Sequence, residues 1–461
     1  MKNRENSRTN RLIDRLIRAG LALLILLTAG STCEAAAMKI ERVTSASGIE
    51  AWLVRDHSIP VVTLRFTFVG GASLDPPGKD GTAALAASLL DEGAGEYDTT
   101  AFHRRLDELA AEMSFSAGHD EFDGTLRMLK ANREESADLL RVALTEPHFA
   151  DEAVERIRAE TLAVLEKQAR NPRSLSGRLW MVEAFERHPY GRNTSGSRTT
   201  VAAITRDDLI AFASRQLQRN TLVIGAVGDI TPAELAPLLD RVFGNLPKGQ
   251  GDPALPEATP GDGGALLVKR SAVPQSAVTF GQAGLKRDDP DWYAALVLNE
   301  ILGGGGFRGR LMKEIREKRG LAYGVSTGLV PYRHAGLILG SVATENGRVA
   351  ESIALIREEW QRMRDEGPTE EELRDAKVYL TGSFPLGLDS TRRIAGLLVR
   401  MQLDGLGIDY LDCRAELISG VTLDQARAVA RRLYDPARLS FAVVGDPAGL
   451  QPTRPTPEQL D

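Results

Sequence analysis

Cysteine and histidine are both scarce in this chain, and each shortage excludes a class of chemistry. The 461 residues include only Cys33, Cys413 and six histidines. No two histidines follow the His-x-x-x-His or His-x-x-Glu-His spacing, which places two metal ligands on one face of a helix. His119-Asp120-Glu121 is a local cluster of potential ligands. Because neighbouring strand residues point to opposite faces, we interpret it as a solvated turn rather than a metal site.

A concentrated positive charge is also lacking. The chain carries 57 Lys and Arg against 63 Asp and Glu, a net charge of −6 that is spread along its length. Without a basic stripe, nucleic acid is excluded as a partner. The content of 43% hydrophobic and 26% charged residues is typical of a globular protein. A chain of 461 residues is too long for one ordinary core, so we expect two domains.

The first 37 residues have the pattern of a signal peptide. A basic segment is followed by an apolar run from Ala19 to Ala29 and by the small-residue stretch Cys33-Glu-Ala-Ala-Ala37. The run is shorter than the ~20 residues that span a bilayer, although an uncleaved N-terminal anchor remains an alternative. Cleavage would leave Cys413 alone, without an intrachain disulfide. We therefore expect export to a periplasm.

The remaining sequence contains an internal repeat. Residues 204–229 recur without a gap as residues 421–446, and both copies end in Gly-Asp, at Asp229 and Asp446. Each copy predicts an amphipathic helix followed by a buried strand. A similar offset relates the strand pattern after Pro60 to that after Pro274. The two halves therefore predict two related domains.

The element patterns in both halves favour an α+β fold. Strands are predicted over residues 61–68 and 277–282, and long helices over 151–168 and 351–365. Residues 248–264 are rich in Pro and Gly, lack apolar periodicity and are interpreted as a linker. The predicted domains cover residues 38–247 and 265–461, each a sheet with helices packed against it.

One stretch resembles a known family. Residues 298–325 contain a helical pattern, Gly303 to Gly306, a second helical pattern with Arg-Leu and Ile-Arg-Glu-Lys, and then Gly-Leu-Ala-Tyr. This order resembles the second domain of the pitrilysin/insulinase peptidases, which include the mitochondrial processing peptidase. With the repeat and the linker, the resemblance extends over essentially the whole mature chain. It implies two homologous domains that form a clam-like chamber.

The resemblance also implies roles for Arg316 and Tyr323. In the family, an Arg/Tyr pair with this spacing contacts the peptide backbone near the scissile bond and stabilises the oxyanion. Arg is a permanently charged donor, and removal of one oxyanion donor typically costs on the order of 10²–10³ in rate. Taken singly, the two residues would be interpreted as a surface charge and an ordinary strand aromatic.

The glycine run is interpreted first as a structural feature. Gly303, Gly304, Gly305 and Gly306 lack the Gly-Lys-Ser/Thr ending of a phosphate loop and lie between two helical patterns, so we expect a helix end and a sharp turn. The resemblance implies in addition that this loop, together with Phe307, contacts substrate.

The zinc motif of the family is missing from this chain. The resemblance implies His-x-x-Glu-His in the first domain and a distal glutamate ligand. Here Ala84 and Ser88 align with the two histidines, Ala87 with the glutamate and Val164 with the distal ligand. Neighbouring Glu160 is a single carboxylate, whereas a catalytic zinc needs three protein ligands. We expect this chain to bind no metal or cofactor.

We therefore expect a zinc-less subunit of an exported heteromeric metalloendopeptidase that is not an enzyme on its own. A sister subunit with His-x-x-Glu-His would form a heterodimer with it and supply zinc. Peptides or unfolded proteins would be the substrates, bound as an added strand. One alternative is a purely structural or peptide-binding subunit. Another is a complete peptidase that holds zinc through unrecognised ligands.

Overall fold

The computed structural model describes residues 38–249, 251, 255–261 and 263–456. The predicted signal peptide, residues 1–37, lies outside these described residues. The described residues from Ile40 onward form one compact unit. Every helix of the described residues is too short or too polar to span a bilayer.

The N-terminal half contains a six-stranded sheet in the order β1-β2-β6-β3-β5-β4. Strands β2 and β6 are parallel, and the other neighbours are antiparallel. The central strand β3 alternates apolar residues with Thr63, Arg65 and Thr67, and it is buried along most of its length because both faces of the sheet are covered. The strands are β1 (Ile40–Thr44), β2 (Glu50–Arg55), β3 (Val61–Val69), β4 (Glu112–Ala117), β5 (Glu121–Leu129) and β6 (Leu222–Gly228).

The described part of this half contains eight α-helices. Several begin where a side chain caps the first turn, as at Thr205 and Thr231, which both form a capping box. The helices are α1 (Thr82–Ala87), α2 (Thr99–Leu109), α3 (Arg133–Thr145), α4 (Asp151–Gln168), α5 (Pro172–Ala184), α6 (Arg198–Ala203), α7 (Arg206–Gln216) and α8 (Pro232–Phe243).

The C-terminal half repeats this sheet with five strands, in the order β7-β11-β8-β10-β9. Again one parallel pair, β7 with β11, lies beside antiparallel neighbours, so β7, β11, β8, β10 and β9 correspond to β2, β6, β3, β5 and β4. The predicted α+β fold with two homologous sheets is therefore confirmed. The strands are β7 (Leu266–Arg270), β8 (Gln275–Ala283), β9 (Ala322–Pro331), β10 (Gly336–Glu345) and β11 (Ser440–Gly445).

The helices of the second half include two π-helical segments around the glycine run. Glu300–Gly304 continues the first helix of this half, and Met312–Glu317 lies in the next one. Such wide turns are rare and frequently occur at functional sites. The α-helices are α9 (Trp292–Asn299), α10 (Val349–Asp365), α11 (Glu370–Gly382), α12 (Thr391–Leu403), α13 (Tyr410–Ser419) and α14 (Leu423–Leu433).

The two halves exchange one helix each. Helix α5 packs on β8 and β11 of the second sheet, and helix α12 packs on β3 and β6 of the first. Trp180 of α5 is buried and donates to the Ser440 carbonyl at 3.3 Å. On the other side, the Thr391 and Thr63 hydroxyls lie 2.8 Å apart. The boundaries of the domains and linker remain predictions, and the exchange of helices was not predicted.

Candidate functional site

The fold brings Phe307, Arg316 and Tyr323 together. Arg316 lies in the segment Met312–Glu317, and Tyr323 is near the start of the edge strand β9. The guanidinium carbon of Arg316 is 4.7 Å from the Tyr323 ring centroid and 4.5 Å from that of Phe307. Tyr323 is 87% exposed and Phe307 61% exposed. Two cation–π contacts thus hold an arginine at a surface where a ligand can reach it.

The charge of Arg316 is not neutralised within the described part of the chain. No carboxylate there forms an ion pair with its guanidinium. The nearby Glu314 instead accepts from Lys318 and Arg319, and these two bonds lower the pKa of the Glu314 carboxyl. The donors of Arg316 are consequently available to an acceptor outside these residues.

Packing explains the glycine run. The π-helical segment ends at Gly304, and Gly306 has a φ of 56°, so the predicted helix end and sharp turn are confirmed. A Cβ on Gly303 would lie 2.6 Å from the Thr327 hydroxyl oxygen, and one on Gly305 would lie 2.7 Å from the Glu300 carbonyl oxygen. A contact of this loop with substrate stays a prediction.

Two buried charges that sequence reasoning missed support the loop. Arg310 is 5% exposed and donates to both carboxylate oxygens of Glu372, at 2.7 and 2.6 Å, and to the Gly367 carbonyl at 2.9 Å. Glu300 is also buried, which raises its pKa, and it pairs with Arg308 at 3.2 Å. Arg310 is the arginine of the Arg-Leu pair within residues 298–325, the stretch that resembles the family. Its position in that motif could have identified it from the sequence.

The aligned zinc positions carry no metal ligand. Ala87 is buried, Ala84 is half-buried, and the exposed Ser88 donates its hydroxyl to the Ala84 carbonyl at 3.2 Å. Val164 is 52% exposed on α4, which packs against α1. Glu160 pairs with an arginine of its own helix at 3.1 Å.

These side chains do not fit zinc, because apolar groups and a single hydroxyl cannot replace nitrogen and carboxylate ligands. Within the described part of the chain, no three His, Cys, Asp or Glu side chains are grouped so that they could hold a metal ion.

The interpretation of His119-Asp120-Glu121 as a solvated turn is wrong in one respect. The segment does form a turn, but His119 is half-buried, with ring centroids 5.4 Å from those of Tyr190 and Tyr332. Burial lowers the pKa of His119 to about 4. Asp120 accepts from the Tyr190 hydroxyl at 2.7 Å.

Comparisons with known proteins agree with this geometry. Residues 203–380 match the family model described as the peptidase M16 inactive domain. The chain is 26% identical over 392 residues to the non-peptidase homolog YmxG of Helicobacter pylori, covering 85% of this chain and 90% of that protein. It is 27% identical over 369 residues to an uncharacterized zinc protease of Mycobacterium leprae, covering 79% and 82%.

A solved structure shows the same fold. The peptidase M16 inactive domain from Pseudomonas fluorescens superposes with a TM-score of 0.84 at 29% identity, covering 91% of this chain and 100% of that one. The predicted resemblance to the pitrilysin- and insulinase-type peptidases is thus confirmed by similarity to peptidase M16 proteins over most of the chain. The chain is therefore similar to domains described as inactive and to a protein described as a non-peptidase homolog. This agrees with the expectation that it is not an enzyme on its own.

Proposed function

We propose that this chain is the zinc-less subunit of an exported heteromeric metalloendopeptidase. The observation that carries the proposal is the cluster of Phe307, Arg316 and Tyr323, in which an arginine without an ion pair among the described residues lies at an exposed surface. The aligned zinc positions, by contrast, carry no ligand. The chain has kept the donors for a reacting amide and has lost the means to activate water.

The chemistry is divided between two chains. A sister subunit with His-x-x-Glu-His supplies zinc and the general base. Arg316 donates hydrogen bonds to the oxygen that becomes negative when the amide is attacked, and the Tyr323 hydroxyl adds a second donor. Donors of this kind contribute most when they are positioned before the reaction, and the two aromatic contacts hold Arg316 in that way.

Edge strands give the peptide a place to bind. Strand β4 ends the first sheet and β9 ends the second, and each pairs with a single described strand. An extended peptide can add to such an edge through main-chain hydrogen bonds, which demand little of its sequence. Peptides or unfolded proteins are therefore the proposed substrates. The signal-like pattern of residues 1–37 supports export.

The test is to purify the chain together with a sister subunit that carries His-x-x-Glu-His and to measure chelator-sensitive peptide cleavage. Arg316→Ala should lower the cleavage rate by on the order of 10²–10³. Arg319→Ala is the matched control, because Arg319 is close in sequence but is paired with Glu314 at 2.6 Å. Equal rates for wild type and Arg316→Ala would refute the shared site.

A second candidate function is a subunit that binds peptides or supports an assembly without taking part in proteolysis. The description of the matched domain as inactive and of the Helicobacter relative as a non-peptidase homolog favours it. Under this function, Arg316→Ala would leave cleavage by the pair unchanged, and removing the chain would change only peptide binding or assembly.

A further inference from the structure

A cavity of roughly 320 Å³ lies where the end of α4, the first turns of α5 and residues 190–198 meet. Four arginines line it: Arg173, Arg178, Arg192 and Arg198. None of its described lining residues is an aspartate or a glutamate. A concave site with cations on several sides and no carboxylate in its wall is suited to an anion.

Only one of these arginines is neutralised within the described part of the chain. Arg192 pairs with Asp80 at 3.0 Å, whereas the guanidinium groups of Arg173, Arg178 and Arg198 form no ion pair there. Arg178 is half-buried, and its single described hydrogen bond is a long one of 3.4 Å to the Gly191 carbonyl.

The environment of Arg178 leaves part of its hydrogen-bonding capacity unused. Its Nε is buried without a hydrogen-bond partner among the described residues, and burial lowers its pKa. Asp80 attracts the Arg178 charge without forming an ion pair with it, and the one long bond to Gly191 leaves the guanidinium incompletely satisfied. A partly buried charge in this state is costly, and an anion in the cavity would offset that cost.

The cavity adjoins the surface on which a peptide would lie. Its wall includes Leu165 and Gln168 of α4, within about one helical turn of Val164, the aligned distal ligand position. It also includes His119, two residues after the end of the edge strand β4 at Ala117. A peptide paired with the end of β4 therefore passes close to the cavity.

We propose that this cavity binds an acidic side chain of a peptide that lies along β4. The inference rests on the proposed function, in that the chain handles peptides, and adds a preference for glutamate or aspartate. Arg173 and Arg178 can bind a carboxylate through charge-assisted hydrogen bonds. Leu175 and Met181, also in the wall, cover the methylene groups of a glutamate.

The experiment measures binding to the isolated full chain by fluorescence anisotropy. The probe is a labelled decapeptide whose other side chains are uncharged. It carries one glutamate, which is moved along its length from peptide to peptide, and each peptide has a counterpart with glutamine at that position. At the best position the glutamate peptide should bind about tenfold more tightly than the glutamine peptide, as expected for one charge-assisted pair. This preference should decrease as salt is raised.

Variants locate the preference in the cavity. Arg173→Gln and Arg198→Gln, both at exposed positions, should each reduce the preference to within about threefold. Arg170→Gln is the control, because Arg170 is exposed, is paired with Glu166 and does not line the cavity. Circular dichroism checks that all three variants fold.

The outcomes separate this inference from the proposed function. Equal binding of glutamate and glutamine peptides at every position would overturn the inference and leave peptide handling intact. Binding of neither peptide would count against both. If inorganic phosphate bound as tightly as the glutamate peptide and with the same dependence on Arg173, the ligand would be a small free anion and the peptide assignment would be wrong.

Discussion

At the scale of single residues, Arg310 and Arg319 lie in the same helical pattern of the sequence but differ in burial. Arg310 is 5% exposed and forms two bonds to Glu372, whereas Arg319 forms an exposed pair with Glu314. Removing one partner of a buried pair leaves an uncompensated charge, but surface pairs contribute little.

We expect Arg310→Met to lower the free energy of unfolding by about 3 kcal/mol and Arg319→Met to change it by less than about 0.5 kcal/mol. Urea unfolding of both variants measures the difference. Equal effects would mean that the buried pair does not anchor the glycine loop.

The pH dependence of stability belongs to the same scale. The pKa of His119 is lowered from its usual 6.5 to about 4, so its contribution to stability is complete above pH 6.5 and is lost as the pH falls to 4. The loss amounts to roughly 3 kcal/mol at most. Asp75 has the opposite effect on the pH dependence of stability. Burial raises the pKa of its carboxyl to about 7, so its contribution to stability is lost as the pH rises.

Comparing wild type with His119→Phe isolates the histidine from Asp75, because both proteins keep the aspartate. The wild type should lose more free energy of unfolding than the variant between pH 7 and pH 4.5. Urea unfolding at these two pH values is the measurement, and parallel pH profiles would contradict the lowered pKa.

At the scale of elements, the close approach of the glycine run to β9 links the loop to Tyr323. A Cβ at Gly303 would meet the Thr327 hydroxyl at 2.6 Å and its backbone nitrogen at 3.0 Å, so the strand and the helix would have to separate. Gly382, the last residue of α11, has nothing within 4 Å of such a Cβ.

Gly303→Ala should therefore destabilise the protein by about 2 kcal/mol through overpacking. Gly382→Ala, the control, should be neutral or slightly stabilising because it restricts the unfolded chain. Thermal unfolding measures both. If Gly303→Ala were as stable as the control, close packing would not explain why this position is a glycine.

At the scale of the whole molecule, the exchanged helices make each half depend on the other. Without α5, the second sheet would expose the surface that Trp180 covers, and without α12 the first sheet would expose β3 and β6. Apolar surface of this kind is what drives cooperative folding.

We therefore expect residues 38–456 to unfold in one transition. Trp52 lies in the first sheet, and Trp292 and Trp360 lie in the second half, so fluorescence reports on both halves and should coincide with circular dichroism. A fragment of residues 265–461 should not fold alone. Two separated transitions, or a stably folded fragment, would show that the halves are independent.

The local patterns of the sequence predicted much of this fold. The helix predicted over residues 151–168 is α4 (Asp151–Gln168), and the strand predicted over 61–68 ends one residue later, at Val69. The internal repeat appears as two sheets with corresponding strand order. Periodicity and repetition depend on neighbouring residues, so they can be recognised without coordinates.

By itself, the sequence determined the family fold and the missing zinc ligands, because a ligand that is not encoded cannot be supplied by folding. Only the tertiary structure decided that His119 is half-buried, that α5 and α12 are exchanged and that four arginines surround one cavity. These features depend on contacts between residues far apart in the chain. Local periodicity carries no information about such contacts, since packing alone selects which distant faces meet.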